Sequence, residues 1–211
     1  YFIMKKSKRI KKSNSWKIKQ HRDPFFKKSK TLGYRSRASF KLIELNNKYK
    51  FLKKDTNLLD LGSYPGGWTQ VASQIILTGK IMSIDIKSMD PIKDSKFLKA
   101  DIMQNSTKDE IINYFKSKLD VIISDMAADT TGSKSLDSIR TNQLCADVIN
   151  FSKDILKPKG VLVSKLFMGE DFIEVKNLAK SLFQNVNFFK PVSSRRESKE
   201  TYLHCKILKS L

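Results

Sequence analysis

The chain reads as an α/β protein with a mostly parallel sheet covered by helices on both faces. Three observations predict this. Short apolar runs alternate with segments of helical periodicity through most of the length. Runs such as LDVIISD and VLVSKLF are apolar almost throughout, as strands buried on both faces are. Four strands in succession carry an acid at or near their ends: Asp60, Asp85, Asp101 and Asp125. Ligands of open α/β sheets bind beyond those ends, so the four carboxylates are expected at one crevice.

The elements follow in order. Asp23-Pro24 opens the ordered region. In RSRASFKLIELNNKYK, Ala38, Leu42, Leu45 and Tyr49 recur at helical spacing, and Lys41 falls on another face. NLLDL (57–61) is a buried strand and 67–76 a helix. KIMSIDI (80–86) and FLKADI (97–102) are strands, and 107–118 is a helix with Ile111, Ile112 and Phe115 on one side. LDVIISD (119–125) is a strand, 138–156 a long helix, and Lys157-Pro158-Lys159-Gly160 a turn. VLVSKLF (161–167) is a strand, 171–183 a helix, and VNFFKP and TYLHCKIL two closing strands. Strands joined through helices imply right-handed crossovers.

The 211 residues suit one domain with an arm, and 40% hydrophobic composition suffices for a core. Residues 1–22 are read as a basic arm and 23–211 as the domain. The net charge is +20, and residues 1–54 hold 19 Lys/Arg against Asp23 and Glu44 alone. A basic arm on a near-neutral domain is the footprint of a polyanion binder, ahead of a solubilising tail or lysine bias. No run of 18 apolar residues exists, which excludes a membrane-spanning helix. Cys145 and Cys205 are too few for a disulfide framework or a thiolate cage, and His21 and His204 form no ligand cluster, so no metal is expected. The chain begins at Tyr1, which leaves a targeting segment unreadable. An intracellular monomer is expected, and Lys/Asn richness favours an organelle over nucleolus or cytoplasm.

The loop Gly62-Ser-Tyr-Pro-Gly66-Gly67-Trp68 permits close backbone approach, but matches neither the dinucleotide fingerprint nor the phosphate loop. It has no lysine after the glycines to meet a phosphate. Asp85, 23 residues beyond Gly62, stands where an acid accepts from both ribose hydroxyls. Asp101 is placed to accept from an adenine amine. A nucleoside without phosphates among carboxylates points to S-adenosylmethionine, with Asp125 near its sulfonium.

At these residues the chain resembles the FtsJ (RrmJ) family of ribose 2′-O-methyltransferases. The matching segments are DPFFKKSKTLGYRSRASFKL, DLGSYPGGWTQ, SMDPI, ISDMA, LVSKLFMGEDF and SSRRESKETY, from about residue 23 to 206, in the family's order and spacing. The resemblance implies a Rossmann-like class I methyltransferase fold of seven strands, one of them antiparallel. It implies a catalytic set at Lys41, Asp125, Lys165 and Glu200. Lys165 would be the base, Lys41 and Asp125 would orient the hydroxyl, and Glu200 would hold a lysine. It places the cofactor at Gly66, Trp68, Asp85, Asp101 and Asp125, with Gly67, Ile86 and Ile102 beside them. One departure is Ala128-Asp129, where bacterial relatives carry Pro-Asn; it leaves the set intact.

The chemistry explains the residue types. A ribose hydroxyl becomes a good nucleophile as its proton leaves, so the enzyme must align two substrates and accept that proton. A lysine, with a reference pKa of about 10.4, accepts only when neutral. Nearby positive charge favours that form and a carboxylate opposes it. Each residue also has a plainer reading: Lys41 as a solvated helix lysine, Glu200 as surface charge, Trp68 as core packing. Lys165 differs, because a lysine inside an apolar strand is costly unless paired.

The arm, the Lys27, Lys28, Lys30 cluster, Arg35 and Arg37, and Arg195 and Arg196 are expected to track RNA phosphates, with binding that weakens linearly in log salt. Within the family, RDPFFKKSK, KYKFLK and the short length resemble the bacterial and organellar ribosomal branch, whose target is a uridine of large-subunit rRNA, free or in a pre-ribosomal particle. The alternatives are a transfer RNA anticodon-loop methyltransferase and an inactive RNA-binding assembly factor. An NAD-type oxidoreductase lacks its glycine fingerprint here.

Overall fold

The computed structural model describes residues 22–209. The expected basic arm lies outside them except for Arg22. Thirteen elements follow Arg22: α1 Pro24–Thr31, α2 Ser39–Tyr49, β1 Leu58–Leu61, α3 Gly67–Ile75, β2 Ile81–Asp85, β3 Lys96–Lys99, α4 Asn105–Phe115, β4 Leu119–Ser124, α5 Lys134–Ile155, β5 Leu156–Phe167, α6 Phe172–Leu182, β6 Phe183–Phe189 and β7 Glu200–Leu208. Among the described residues one seven-stranded sheet has the order β3-β2-β1-β4-β5-β7-β6. β1, β2, β3, β4 and β5 pair in parallel, and β7 runs antiparallel to both β5 and β6. The expected fold class therefore holds, including its antiparallel strand. The order reverses between β1 and β4, which opens a crevice at their carboxyl ends.

Two cores flank the sheet, separated by the two-residue period of strands. On one face Leu58, Val121, Ile123, Val161, Val163 and Tyr202 pack with Leu42 and Leu45 of α2 and Val71 and Ala72 of α3. On the other, Leu59, Leu61, Ile122, Leu162 and Leu203 meet α4, α5 and α6. The period then dictates the site. Asp125 continues 121 and 123, and Lys165 continues 161 and 163. Glu200 stands two before Tyr202. All three therefore project to the face that α2 covers.

Local chemistry sets the element ends. Asp23 caps α1: its Oδ1 accepts from the amides of Phe25 (3.0 Å) and Phe26 (3.2 Å), and Pro24 fills the first position. The sequence reading had only an ordered start there, although the Asp-Pro signal was present. Other boundaries moved: the third strand is Lys96–Lys99 and ends before Asp101, and the helix after it is Asn105–Phe115. The long helix begins at Lys134, where Ser133 Oγ accepts from Leu136 N–H. The turn expected at 157–160 belongs to the irregular entry of β5, where register shifts between the Leu119–Leu156 and Val121–Val161 pairs. β6 takes Phe183 as its first residue, because the helix ends at Leu182.

Candidate active site

Two ion pairs are buried where α2, β4, β5 and β7 meet. Lys41 Nζ lies 2.8 Å from Glu200 Oε1 and 3.0 Å from Oε2, and both side chains are 11% exposed. Lys165 Nζ lies 2.8 Å from Asp125 Oδ1 and donates to the Asp125 carbonyl at 2.7 Å. Register explains the convergence: Ser124 pairs with Ser164, and Lys165 with Tyr202. Lys41 is reached by α2 packing over that face. Its reading as a solvated lysine fails, because Lys41 is buried within the helix start beside Phe40 and Leu42.

Tyr202 joins the pairs, and sequence reasoning missed it. Its hydroxyl donates to Asp125 Oδ1 at 2.6 Å, and Lys41 Nζ sits 5.6 Å from its ring centroid. The available signal was its two-residue spacing from Glu200. Burial raises the Asp125 carboxyl, yet Lys165 and Lys41 outweigh it and hold the group below the ordinary carboxylate value. Burial, then Asp125 and Glu200, push the Tyr202 hydroxyl well above its usual value, so it remains a donor.

A cavity of about 560 Å³ opens beside the pairs at the ends of β1, β2 and β4. Its lining includes Gly62, Tyr64, Asp85, Ile86, Asp101, Ile102 and Asp125. Asp85 accepts from the amides of Tyr64 and Lys87, both at 2.8 Å, and each oxygen keeps a further lone pair. Asp101 Oδ1 accepts from Met103 N–H at 3.0 Å. A Cβ on Gly62, whose φ is +71°, would fall 2.2 Å from Met126 Cγ, so this edge needs glycine. Carboxylates at β2, after β3 and at β4, around a nucleoside-sized space, fit S-adenosylmethionine: ribose hydroxyls and an amine at one end, a cation at the other.

Other expected cofactor residues sit elsewhere. Trp68 is buried in the α2–α3 core, donates from Nε1 to the Ala38 carbonyl at 2.8 Å, and packs on Tyr202 at 5.6 Å between centroids. Its plainer reading, core packing, is the one the structure shows. Gly66 and Gly67 face the entry to α2: a Cβ would lie 2.7 Å from Ile92 Cδ1 or 2.3 Å from Ser36 Oγ. All three are buried, and the residues lining this cavity do not include them.

The expected RNA contacts divide in two. Lys27, Lys28, Lys30, Arg195 and Arg196 are exposed. Arg35 and Arg37 are internal ties instead. Arg35 donates to the carbonyls of Asp90 (2.6 Å) and Pro91 (2.7 Å). Arg37 pairs with Asp23 and donates to the Ser193 carbonyl. Burial, then Arg195, lower the Arg37 guanidinium below its ordinary value.

Asp60, grouped with the strand-end acids in the sequence, does not line the cavity. It is buried, Thr69 Oγ1 donates to its Oδ2 at 2.6 Å, and Oδ1 has no hydrogen-bond partner among the described residues. Burial, opposed by Thr69 and aided by Asp125 and Asp85, raises it from 3.8 to about 7. The folded state thus holds this proton more tightly than the unfolded one. Its stabilising effect is complete below pH 3.8 and is lost as pH rises to about 7. Asp60→Asn should flatten stability over that window, a difference on the order of 4 kcal/mol. Urea unfolding of both proteins at several pH values measures it; parallel curves refute the assignment.

Comparison with known proteins agrees with this geometry. Residues 34–208 match the FtsJ-like methyltransferase family. The chain is 44% identical over 197 residues to the ribosomal RNA large subunit methyltransferase E of Pelagibacter ubique (strain HTCC1062), covering 93% of this chain and 97% of that protein. It is 42% identical over 202 residues to the protein of the same name from Rickettsia akari (strain Hartford), covering 93% and 89%. A crystal structure from Plasmodium falciparum, assigned as a ribosomal RNA methyltransferase, superposes with TM-score 0.74 at 33% identity, covering 83% of this chain and 98% of that one. The chain therefore belongs to the FtsJ-like methyltransferase family and is an S-adenosylmethionine-dependent methyltransferase.

Proposed function

We propose that the chain methylates the 2′-hydroxyl of a uridine in large-subunit ribosomal RNA. The observation that carries the chemistry is the convergence of the Lys41–Glu200 and Lys165–Asp125 pairs beside the cofactor cavity. Relatives at 44% and 42% identity named for large-subunit rRNA support the substrate, as does the +20 charge.

When bound, the cofactor supplies an electrophilic methyl on a cationic sulfur. The protein supplies alignment and a proton acceptor. Asp85 and Asp101 hold hydroxyl and amine groups of the nucleoside, and the Asp125 carboxylate is the negative charge at the cavity's inner end. Lys165 is the acceptor for the proton of the attacking hydroxyl. Lys41 orients that hydroxyl and is itself fixed by Glu200. Tyr202 helps hold Asp125 in place by donating to Oδ1, the same oxygen that Lys165 meets. Lys27, Lys28, Lys30, Arg195 and Arg196, all exposed, would meet the phosphates.

The test is methyl transfer from radiolabelled S-adenosylmethionine to large ribosomal subunits that lack this modification, followed by mapping of the label. Labelled 2′-O-methyluridine in the large-subunit rRNA is the expected product. Label confined to transfer RNA would shift the substrate to an anticodon loop, and binding of the donor without any RNA label would leave an inactive assembly factor.

A further inference from the structure

A second cavity, of about 690 Å³, lies between α5 and α6 and shares no lining residue with the cofactor cavity. The helix α5 divides the two: Ile139 lines one, while Arg140 and Gln143 line the other. We propose that this second cavity receives a nucleobase of the substrate RNA strand, resting on the reading of the chain as an RNA methyltransferase.

Position is the first support. The cavity is lined by Met168 and Lys199, which extend the strand ends that carry the catalytic pairs. Phe167 pairs with Glu200 and Lys165 with Tyr202, and Met168 N–H then donates to the Lys199 carbonyl at 2.9 Å. The cavity thus opens at the same end of β5 and β7 as the catalytic pairs, on the sheet face that α5 and α6 cover. The frame is also fixed. Buried Asn142 of α5 donates to the Phe167 carbonyl at 3.0 Å and to Asp171 Oδ1 at 2.9 Å, and accepts from Phe167 N–H at 2.7 Å.

Chemistry is the second support. Ile139, Met168 and Ile173 line the cavity with 43%, 49% and 56% of their surface in water. Exposed apolar side chains gathered around a concavity mark a binding site. Phe172 adds an aromatic wall. One polar group awaits a partner: Ser138 Oγ is buried in this lining without a hydrogen bond among the described residues. Lys134 and Lys199 supply positive charge for the flanking phosphates, and the exposed Glu170 carboxylate can accept from a base amine. An apolar wall with polar points and a lysine rim suits a base on a phosphate backbone.

The experiment compares wild type with Ile139→Asp, Met168→Ser and Met168→Leu, using undermethylated large ribosomal subunits and radiolabelled donor. Both polar variants should raise KM for the particle about tenfold or more, with kcat and donor affinity within about twofold. Met168→Leu should behave as wild type. Melting temperatures identify a variant that merely misfolds, and Met168→Ser, at a half-exposed site, then decides the matter. A protein-free rRNA transcript carrying 4-thiouridine should cross-link to residues 168–173 in wild type and less in Met168→Ser. Unchanged KM in both polar variants overturns the assignment while the proposed function stands. A raised KM for the particle without any change on the protein-free transcript identifies a ribosomal protein as occupant and also overturns it. A wild-type chain that methylates no RNA overturns the function and this inference together.

Discussion

Lys165→Ala should lower methyl transfer by about a thousandfold, the middle of the range for loss of a positioned general base, while donor affinity changes little. Among the described residues Lys165 is the one buried strand lysine, and its amine touches both the side chain and the carbonyl of Asp125. Removing it would delete the proposed proton acceptor but leave Asp85 and Asp101, the acids proposed to hold the nucleoside, untouched. Asp125 keeps Tyr202 and the field of Lys41, so the cavity wall stays in place. Calorimetric titration of the donor and a radiolabel assay on ribosomal subunits separate the two quantities. Turnover near that of wild type would remove Lys165 from the role of base.

Glu200→Ala should have the next largest effect, and it strikes stability and rate together. It leaves the Lys41 ammonium buried without its partner, and breaking a buried pair from one side costs about 3–5 kcal/mol. The Lys41 amine also loses the anchor that points it at the hydroxyl, for which a loss of about a hundredfold in kcat is expected. Lys41→Met combined with Glu200→Met separates the two consequences. Two apolar side chains of similar length should recover most of the stability, because nothing charged remains buried in that spot, while activity stays low. Urea unfolding and initial rates on the same preparations provide the measurements. A double variant that regains activity would show that the pair serves folding alone.

Much of this protein was legible in the chain. Alternating apolar runs and helical periods determined an α/β sheet, since buried parallel strands need apolar residues on both faces. Motifs along most of the chain pointed to the family, and the resemblance singled out Lys41, Asp125, Lys165 and Glu200, which the fold brings together as two buried pairs. The acids after the strands marked the crevice, because side chains at strand ends face whatever lies beyond the sheet. Other features needed the tertiary structure. Tyr202, Trp68 and Asp60 have the same local signals whether they hold a ligand or fill a core. Only the folded chain showed that Tyr202 braces Asp125, that Trp68 bonds to the Ala38 carbonyl, and that Asp60 is buried against Thr69 and does not line the cavity. Arg35 and Arg37 looked like free charge in the sequence, yet carbonyls and a carboxylate from distant segments occupy them. The physical reason is one of range. Periodicity and capping are set by neighbours along the chain, so the sequence alone determines them. Whether a polar group is buried and paired depends on partners up to 159 residues away, as for Lys41 and Glu200, and only the folded chain brings those together.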